Sequence, residues 1–360
     1  MLLCICYIYF FYHFGGDFTC LNPLKGWQIG VNPSGKPNYK ITSRNVDCLY
    51  NDSGVWREGV AGRLYFGKVI YESIDIPCGH CIECRLKYSR DWATRMMLEA
   101  QYHESSYFVT LTYDDLHAPK SYYPDPDTGE AIPSLTLVKK DLQAFIKRLR
   151  SRLEYLKRPQ IRFYGCGEYG TSTHRPHYHI IIFGLCLDDL EELKVSSQGF
   201  PYYRSNLIEE CWPFGYSMVC DVSWDTCAYV ARYVTKKWTG DYKDFYESFN
   251  LLPEFSLMSL KPGIARQYFD EHKEDIYRFD ELFLKCSDGG KTVQPCSYFD
   301  KLFDLENPDL MQAVKERRKK RGEERQKIVQ SNTTLTLDEQ LEARQRLFEK
   351  RLAMLKRKEI

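Results

Sequence analysis

The sequence predicts an α+β fold in which a central antiparallel sheet carries its helices on one face. Three observations lead there. From residue 107 the patterns run strand, helix, strand, strand, helix or loop, strand, helix, which is not the strict alternation of a doubly wound sheet. Strand patterns at 161–168 and 178–184 follow each other across a short Gly/Ser/Thr/His/Pro stretch, so they form a hairpin and pair antiparallel. An apolar share of 43% supports a packed core and excludes a disordered chain. The architecture expected is a sandwich of the ferredoxin-like kind.

In chain order, residues 15–70 are rich in Gly, Pro, Asn and Ser and read as loops with a few strands. Residues 85–103 lack Gly and Pro and space Leu86, Trp92, Met96, Met97 and Ala100 as a helix does. Tyr107–Tyr113 is β-branched and aromatic, hence a strand. Residues 114–134 hold four prolines and Asp-Thr-Gly, which predicts a loop. Residues 139–157 put Leu142, Phe145, Ile146, Leu149, Leu153 and Leu156 on one helical face. After the hairpin come a short helix at 207–211, a strand at 216–222 and a helix at 225–238. Residues 308–360 form a charged helical extension broken at Ser331-Asn332-Thr333-Thr334.

A net charge of +1 does not announce a nucleic-acid partner, but its distribution is uneven. From Asp309 to Ile360 there are 15 Lys/Arg against 9 Asp/Glu, with the run Arg317-Arg318-Lys319-Lys320-Arg321 as a possible phosphate contact. With 27 tyrosines and 20 phenylalanines, most aromatics must pack in cores, leaving a minority to stack on unpaired bases. The apolar run Leu2–Phe14 is too short to span a bilayer and has no basic flank, so no membrane role is expected. Residues 1–15 also differ in character from the rest of the chain, which leaves the start of the frame open. Fourteen cysteines in a long chain of this kind read as reduced thiols in a cytoplasm, some of them metal-bound.

Three groups of residues carry chemistry. In His177-Tyr178-His179, side chains two apart on a strand share a face, so both imidazoles lie together and Tyr178 points away. Glu168, nine residues upstream on the partner strand, faces them, and such a trio suits a divalent cation with positions left open. Tyr229 and Tyr233, at i and i+4, share a helix face, and Lys236 and Lys237 follow one turn later. A phenol with a pKa near 10 is ionised in only about one molecule in a thousand at pH 7, so it needs an activated phosphorus and a cation beside it. Cys78-x-x-Cys81-x-x-Cys84 precedes a helix and fits structural Zn²⁺. Cys20, Cys48 or His80 must supply the fourth ligand, and the sequence does not choose. His174 is a spare metal candidate; His103, His117 and His272 have no evident partners.

Taken together, these motifs resemble those of the replication initiators in the HUH endonuclease superfamily, above all those of microviruses, the small single-stranded DNA phages (gokushovirus-like). Phe108-Val109-Thr110-Leu111-Thr112-Tyr113 looks like their first motif. Gly167-Glu168-Tyr169-Gly170 and Arg175-Pro176-His177-Tyr178-His179 look like their metal motif, with Tyr178 where an aliphatic residue is usual. Tyr229-Val230-Ala231-Arg232-Tyr233-Val234-Thr235-Lys236 looks like their two-tyrosine motif, and the similarity spans roughly residues 75–270.

The resemblance implies a metal-dependent endonuclease of ferredoxin- or RRM-like HUH fold. His177, His179 and Glu168 would bind Mg²⁺ or Mn²⁺, Tyr229 and Tyr233 would be nucleophiles, and Lys236 would assist. It implies single-stranded origin DNA as covalent partner, a host polymerase and helicase, and the host bacterial cytoplasm as location. The expected layout is an N-terminal loop and strand segment at 1–76, the endonuclease domain at 77–270 and the charged extension at 271–360. A relaxase or transposase of the same chemistry, and a zinc-dependent nucleic-acid-binding protein without catalysis, remain as alternatives.

Overall fold

The computed structural model describes residues 20–354 except 34, 36, 171–172, 196–198, 200, 234–242 and 287–288. Within these residues the chain divides into two units, one of residues 88–323 and one combining 20–87 with 324–354.

The larger unit is built on a seven-stranded sheet. In chain order its strands are β7 (Ser106–Tyr113), β10 (Arg162–Tyr169), β11 (Pro176–Phe183), β12 (Leu190–Val195), β13 (Pro201–Ser205), β14 (Gly215–Asp221) and β15 (Phe255–Met258). In space they lie β12-β13-β14-β7-β11-β10-β15, and every neighbouring pair is antiparallel. The expected hairpin of 161–168 with 178–184 is the pair β10–β11, with Tyr164 opposite Ile181. The interior strand β11 reads Ile180-Ile181-Ile182-Phe183, an unbroken apolar run, because both of its faces are covered.

The helices of this unit are α1 (Ile82–Ala100), which enters it from the other unit, α2 (Lys139–Tyr155), α3 (Asn206–Cys211), α4 (Trp224–Tyr233), α5 (Lys243–Ser248), α6 (Arg266–Phe279), α7 (Ser297–Glu306) and most of α8 (Pro308–Ser331). They do not gather on one face, which corrects the expected arrangement. Leu142, Phe145 and Leu149 of α2 and Ile208 of α3 pack with Tyr178, Ile180 and Ile182 on one side. Trp92 and Met96 of α1 and Val230 and Ala231 of α4 pack with Ile181 and Phe183 on the other. An apolar strand with no polar alternation needs two covers, and that is what the mixed layers supply.

The proline-rich stretch expected to be a loop contains a second correction. Lys120–Pro124 (β8) and Ala131–Leu135 (β9) pair as a hairpin, with Tyr122 opposite Pro133. Proline is tolerated there because the ladder has only two strands, so an outward edge needs no N–H. The turn is held by the Asp125 carboxylate, which accepts N–H bonds from Asp127 and Thr128. A third core joins Leu98 to α6, α7 and the start of α8 through Phe269, Phe299, Phe303 and Val314, beside the pair Leu282–Cys286 (β16) and Gly289–Val293 (β17).

The smaller unit contains two three-stranded sheets. One orders β2 (Pro37–Thr42), β1 (Leu24–Val31) and β6 (Ile74–Ile76); the other orders β4 (Val55–Gly59), β3 (Cys48–Asp52) and β5 (Val69–Ile70). Its buried core is small, centred on Trp27, Val46 and Leu49. The helix α9 (Leu337–Met354) belongs to it, and the break at 332–336 between α8 and α9 overlaps the expected one at Ser331-Asn332-Thr333-Thr334. Among the described residues no helix is long and apolar enough to cross a membrane.

Candidate metal centre and nucleophile helix

The ladder between β10 and β11 sets Glu168 directly opposite His177 and Cys166 opposite His179. Facing residues of an antiparallel pair project to the same side, so Glu168, His177 and His179 converge. Glu168 Oε1 lies 2.6 Å from His177 Nε2 and 3.1 Å from His179 Nε2. Glu168 and His179 are buried and His177 is half-buried.

Each imidazole is held from behind by its other nitrogen. His177 Nδ1 lies 3.0 Å from the Arg175 carbonyl, which can only accept, so Nδ1 carries a proton and a neutral ring has its lone pair on Nε2, toward Glu168. His179 Nδ1 lies 3.0 Å from Thr110 Oγ1, and the Phe108 ring stacks on that imidazole at 5.4 Å. Arg175 is itself clamped, donating from Nε and Nη2 to the Tyr113 carbonyl and pairing through Nη1 with Asp115. The position of His177 is thus fixed through its preceding loop as well as its strand.

Burial alone would raise the Glu168 carboxyl, but its interactions with His177 and His179 outweigh it and hold it at about 2. An ionised carboxylate and two converging imidazoles form a donor set that suits a divalent cation taking oxygen and nitrogen ligands.

Tyr178 points to the opposite face, as its place between two site histidines requires. Its hydroxyl lies 2.7 Å from Tyr113 Oη and accepts the Val138 N–H at 3.1 Å, which anchors the start of α2. An amphipathic residue at this position therefore serves the helix layer and leaves the donor trio untouched.

Across the site from the sheet runs α4. Its start is capped reciprocally: Ser223 Oγ accepts the Thr226 N–H, and Thr226 Oγ1 accepts the Ser223 N–H. Cys227, Val230 and Ala231 are buried against the sheet, which orients the helix and turns Tyr229 toward the histidines. The Tyr229 ring lies 5.2 Å from the His179 ring and 6.1 Å from Phe108, edge-on to both, and is half-buried. The backbone of Tyr233 completes α4, but its side chain and the whole of Lys236 lie outside the described residues. The structure therefore brings together Glu168, His177, His179 and Tyr229.

The cysteines of the CxxCxxC element form a second cluster, Cys78, Cys81 and Cys84 with Cys20, whose sulfurs all lie within 4.8 Å of one another. Cys48 and His80 are not in it. The three histidines without evident partners in the sequence have ordinary ones: His103 bonds Glu99, His117 bonds Asp114 and His272 bonds the Tyr268 carbonyl. His174 is exposed, at positive φ in the turn between β10 and β11, and joins neither cluster. Sequence reasoning placed Phe108 and Thr110 in the first motif and Arg175 in the metal motif but gave none of them a role at the site. The register of β7 against β11, with Thr110 opposite His179, is the signal that identifies Thr110.

Comparison with known proteins adds an independent line. Residues 106–238 match a family model whose description begins "Replication-associated protein ORF2". The chain is 34% identical over 268 residues to the "Replication-associated protein ORF2" of Spiroplasma virus 4, covering 74% of this chain and 79% of that one. It is 35% identical over 289 residues to the "Replication-associated protein VP4" of Bdellovibrio phage phiMH2K, covering 78% and 76%. A "Replication-associated protein ORF4" of Chlamydia phage 1 is 36% identical over 170 residues, covering 46% and 39%. No solved structure matches.

Proposed function

The chain belongs to the replication-associated proteins of microviruses, and from that premise we propose that it starts rolling-circle replication by nicking single-stranded origin DNA with a tyrosine and remaining attached to the new 5′ end. The observation that carries this reading is the Tyr229 ring 5.2 Å from an imidazole that shares a buried carboxylate with a second imidazole.

Glu168, His177 and His179 would hold Mg²⁺ or Mn²⁺, which when bound polarises the scissile phosphate and neutralises its developing charge. The protein residues do the rest. The strand lies across the open side of the trio. Tyr229 Oη attacks phosphorus, the Oη–P bond forms and the P–O3′ bond breaks. The phenolic proton is lost and the leaving 3′ oxygen gains one. Lys236, placed by sequence one turn after Tyr233, stabilises the phenolate and the phosphate charge. One phosphodiester replaces another of similar energy, so cleavage needs no nucleotide cofactor. A host polymerase extends the free 3′-OH while a host helicase opens the duplex, in the cytoplasm of the infected bacterium.

After one round Tyr233 attacks the regenerated origin, and the 3′-OH it releases attacks the first phosphotyrosine, closing a circle. Placing both tyrosines one turn apart lets the two roles alternate without dissociation. The test uses an origin oligonucleotide labelled on the 3′ side of the nick, with Mn²⁺. Wild type gives a labelled protein band that survives denaturation. Tyr229→Phe combined with Tyr233→Phe gives none, and an adduct persisting in that double variant refutes the assignment.

A further inference from the structure

The cysteine cluster stands apart from the nicking chemistry. Cys20 Sγ lies 3.8 Å from Cys81 Sγ and 3.6 Å from Cys84 Sγ, and Cys78 Sγ lies 3.9 Å from Cys84 Sγ. A disulfide needs sulfurs at about 2.05 Å, so these thiols are not paired with one another. A zinc ion bound tetrahedrally by four thiolates at about 2.3 Å separates them by about 3.8 Å along each edge. The three separations match that edge. An iron–sulfur cluster, with its own inorganic core between the thiolates, needs them farther apart than the 4.8 Å that bounds all four. We propose that Cys20, Cys78, Cys81 and Cys84 form a structural zinc site, with Cys20 as the ligand that the local CxxCxxC motif lacks.

The surroundings are those of a metal knuckle. Cys78 Sγ accepts N–H bonds from His80 at 3.4 Å and Cys81 at 3.2 Å, and Cys20 Sγ accepts one from Cys78 at 3.3 Å. N–H donors aimed at sulfur favour the thiolate that a metal requires. The tight turn depends on Gly79, which sits at φ +77°, a region costly for any residue with a Cβ. Cys84 lies in the first turn of α1, where the helix dipole also favours negative charge.

The fold also explains why a residue 58 positions away completes the set. Leu24 of β1 pairs with Ile76 of β6, so the strand ladder carries Cys20, four residues before it, to Cys78, two residues beyond. Zinc would close the chain around both small sheets. Their shared core, centred on Trp27, Val46 and Leu49, is too slight to hold six strands by burial alone. In domains of this kind the binding energy of the metal is folding energy. The site thus acts as the fastener of the smaller unit.

The test counts metal in the purified full chain. In a background carrying His177→Ala and His179→Ala, which removes the other candidate site, about one zinc per chain should survive dialysis against a weak chelator. Cys20→Ser should lose it, while Cys48→Ser and His80→Ala keep it. Because a cysteine variant can fail to fold, the His177→Ala, His179→Ala chain with all its cysteines intact is also loaded with Co²⁺, whose visible spectrum distinguishes four thiolates from three thiolates and an imidazole. Removing the metal with a strong chelator should open residues 24–76 to proteolysis. Absence of zinc from the His-variant background, equal zinc in Cys20→Ser, or a cobalt spectrum with nitrogen ligation overturns the proposal. Each of these results is separable from failure of the nicking reading, which would leave zinc content unchanged.

Discussion

Glu168 ties two histidines together through a single oxygen. That oxygen lies 2.6 and 3.1 Å from the two Nε2 atoms, and its pairing with both imidazoles keeps the carboxyl ionised down to about 2 despite burial. Because the folded value lies below the ordinary 4.5, the carboxylate stabilises the fold above about pH 4.5, and this contribution disappears as pH falls through about 2. Unfolding midpoints in urea measured between pH 5 and 2.5 should therefore decline more steeply for the wild type than for Glu168→Gln; parallel curves would contradict the assigned state. At neutral pH the proposed ligand role of Glu168 requires the same variant to lose nicking by about 100-fold or more. The trio was readable from residue spacing: an H-x-H strand and a glutamate on its hairpin partner already imply one face. What spacing could not supply was the backing of each ring, because Thr110 comes from a strand 69 residues away and only the β7–β11 register brings it to His179.

The strand β11 feeds two layers at once, and its alternate residues have separable roles. His179 and Ile181 face the side of the Glu168–His177–His179 trio, while Tyr178, between the histidines in sequence, anchors α2 through Val138 and Tyr113 on the far side. Tyr178→Phe removes that hydroxyl and strands the Val138 N–H, so it should cost about 1–3 kcal/mol of stability. Metal affinity by calorimetry should stay within about twofold of wild type, the two faces being independent; a tenfold drop would mean the faces are coupled. The helices and the central strands were legible because their periodicity is strong. The expected one-sided helix layer failed at β11, whose four consecutive apolar residues are the mark of a strand covered twice. The hairpin of β8 and β9 stayed hidden behind Pro124 and Pro133, since proline argues against strands except at the unpaired edges this ladder provides.

At the scale of the molecule, charge is committed more heavily than a residue count suggests. In the basic run at 317–321, Arg318 pairs with Asp280 at 2.5 Å and Asp300 at 2.7 Å, Arg321 also pairs with Asp280, and Arg317 donates to the Tyr277 carbonyl. Asp280 is buried, so these arginines secure the junction of α6, α7 and α8. Arg318→Ala should lower stability by roughly 3 kcal/mol, since Arg321 compensates only in part for the buried carboxylate. Salt sensitivity of DNA binding should change by less than one phosphate contact, whereas a larger fall in the salt slope would assign Arg318 to DNA. A sequence reading sees five consecutive cations and cannot see Asp280 beneath them.

In the proposed reaction a phenol of α4 becomes the phosphate carrier beside the Glu168–His177–His179 trio. Mass mapping of the protease-digested adduct formed with an origin oligonucleotide and Mn²⁺ tests it most directly. A nucleotide mass attached to the peptide containing Tyr229 or Tyr233, lost when His177 and His179 are both alanine, is the predicted result. A nucleotide on any other residue, or attachment unaffected by loss of both imidazoles, would overturn the proposed reaction.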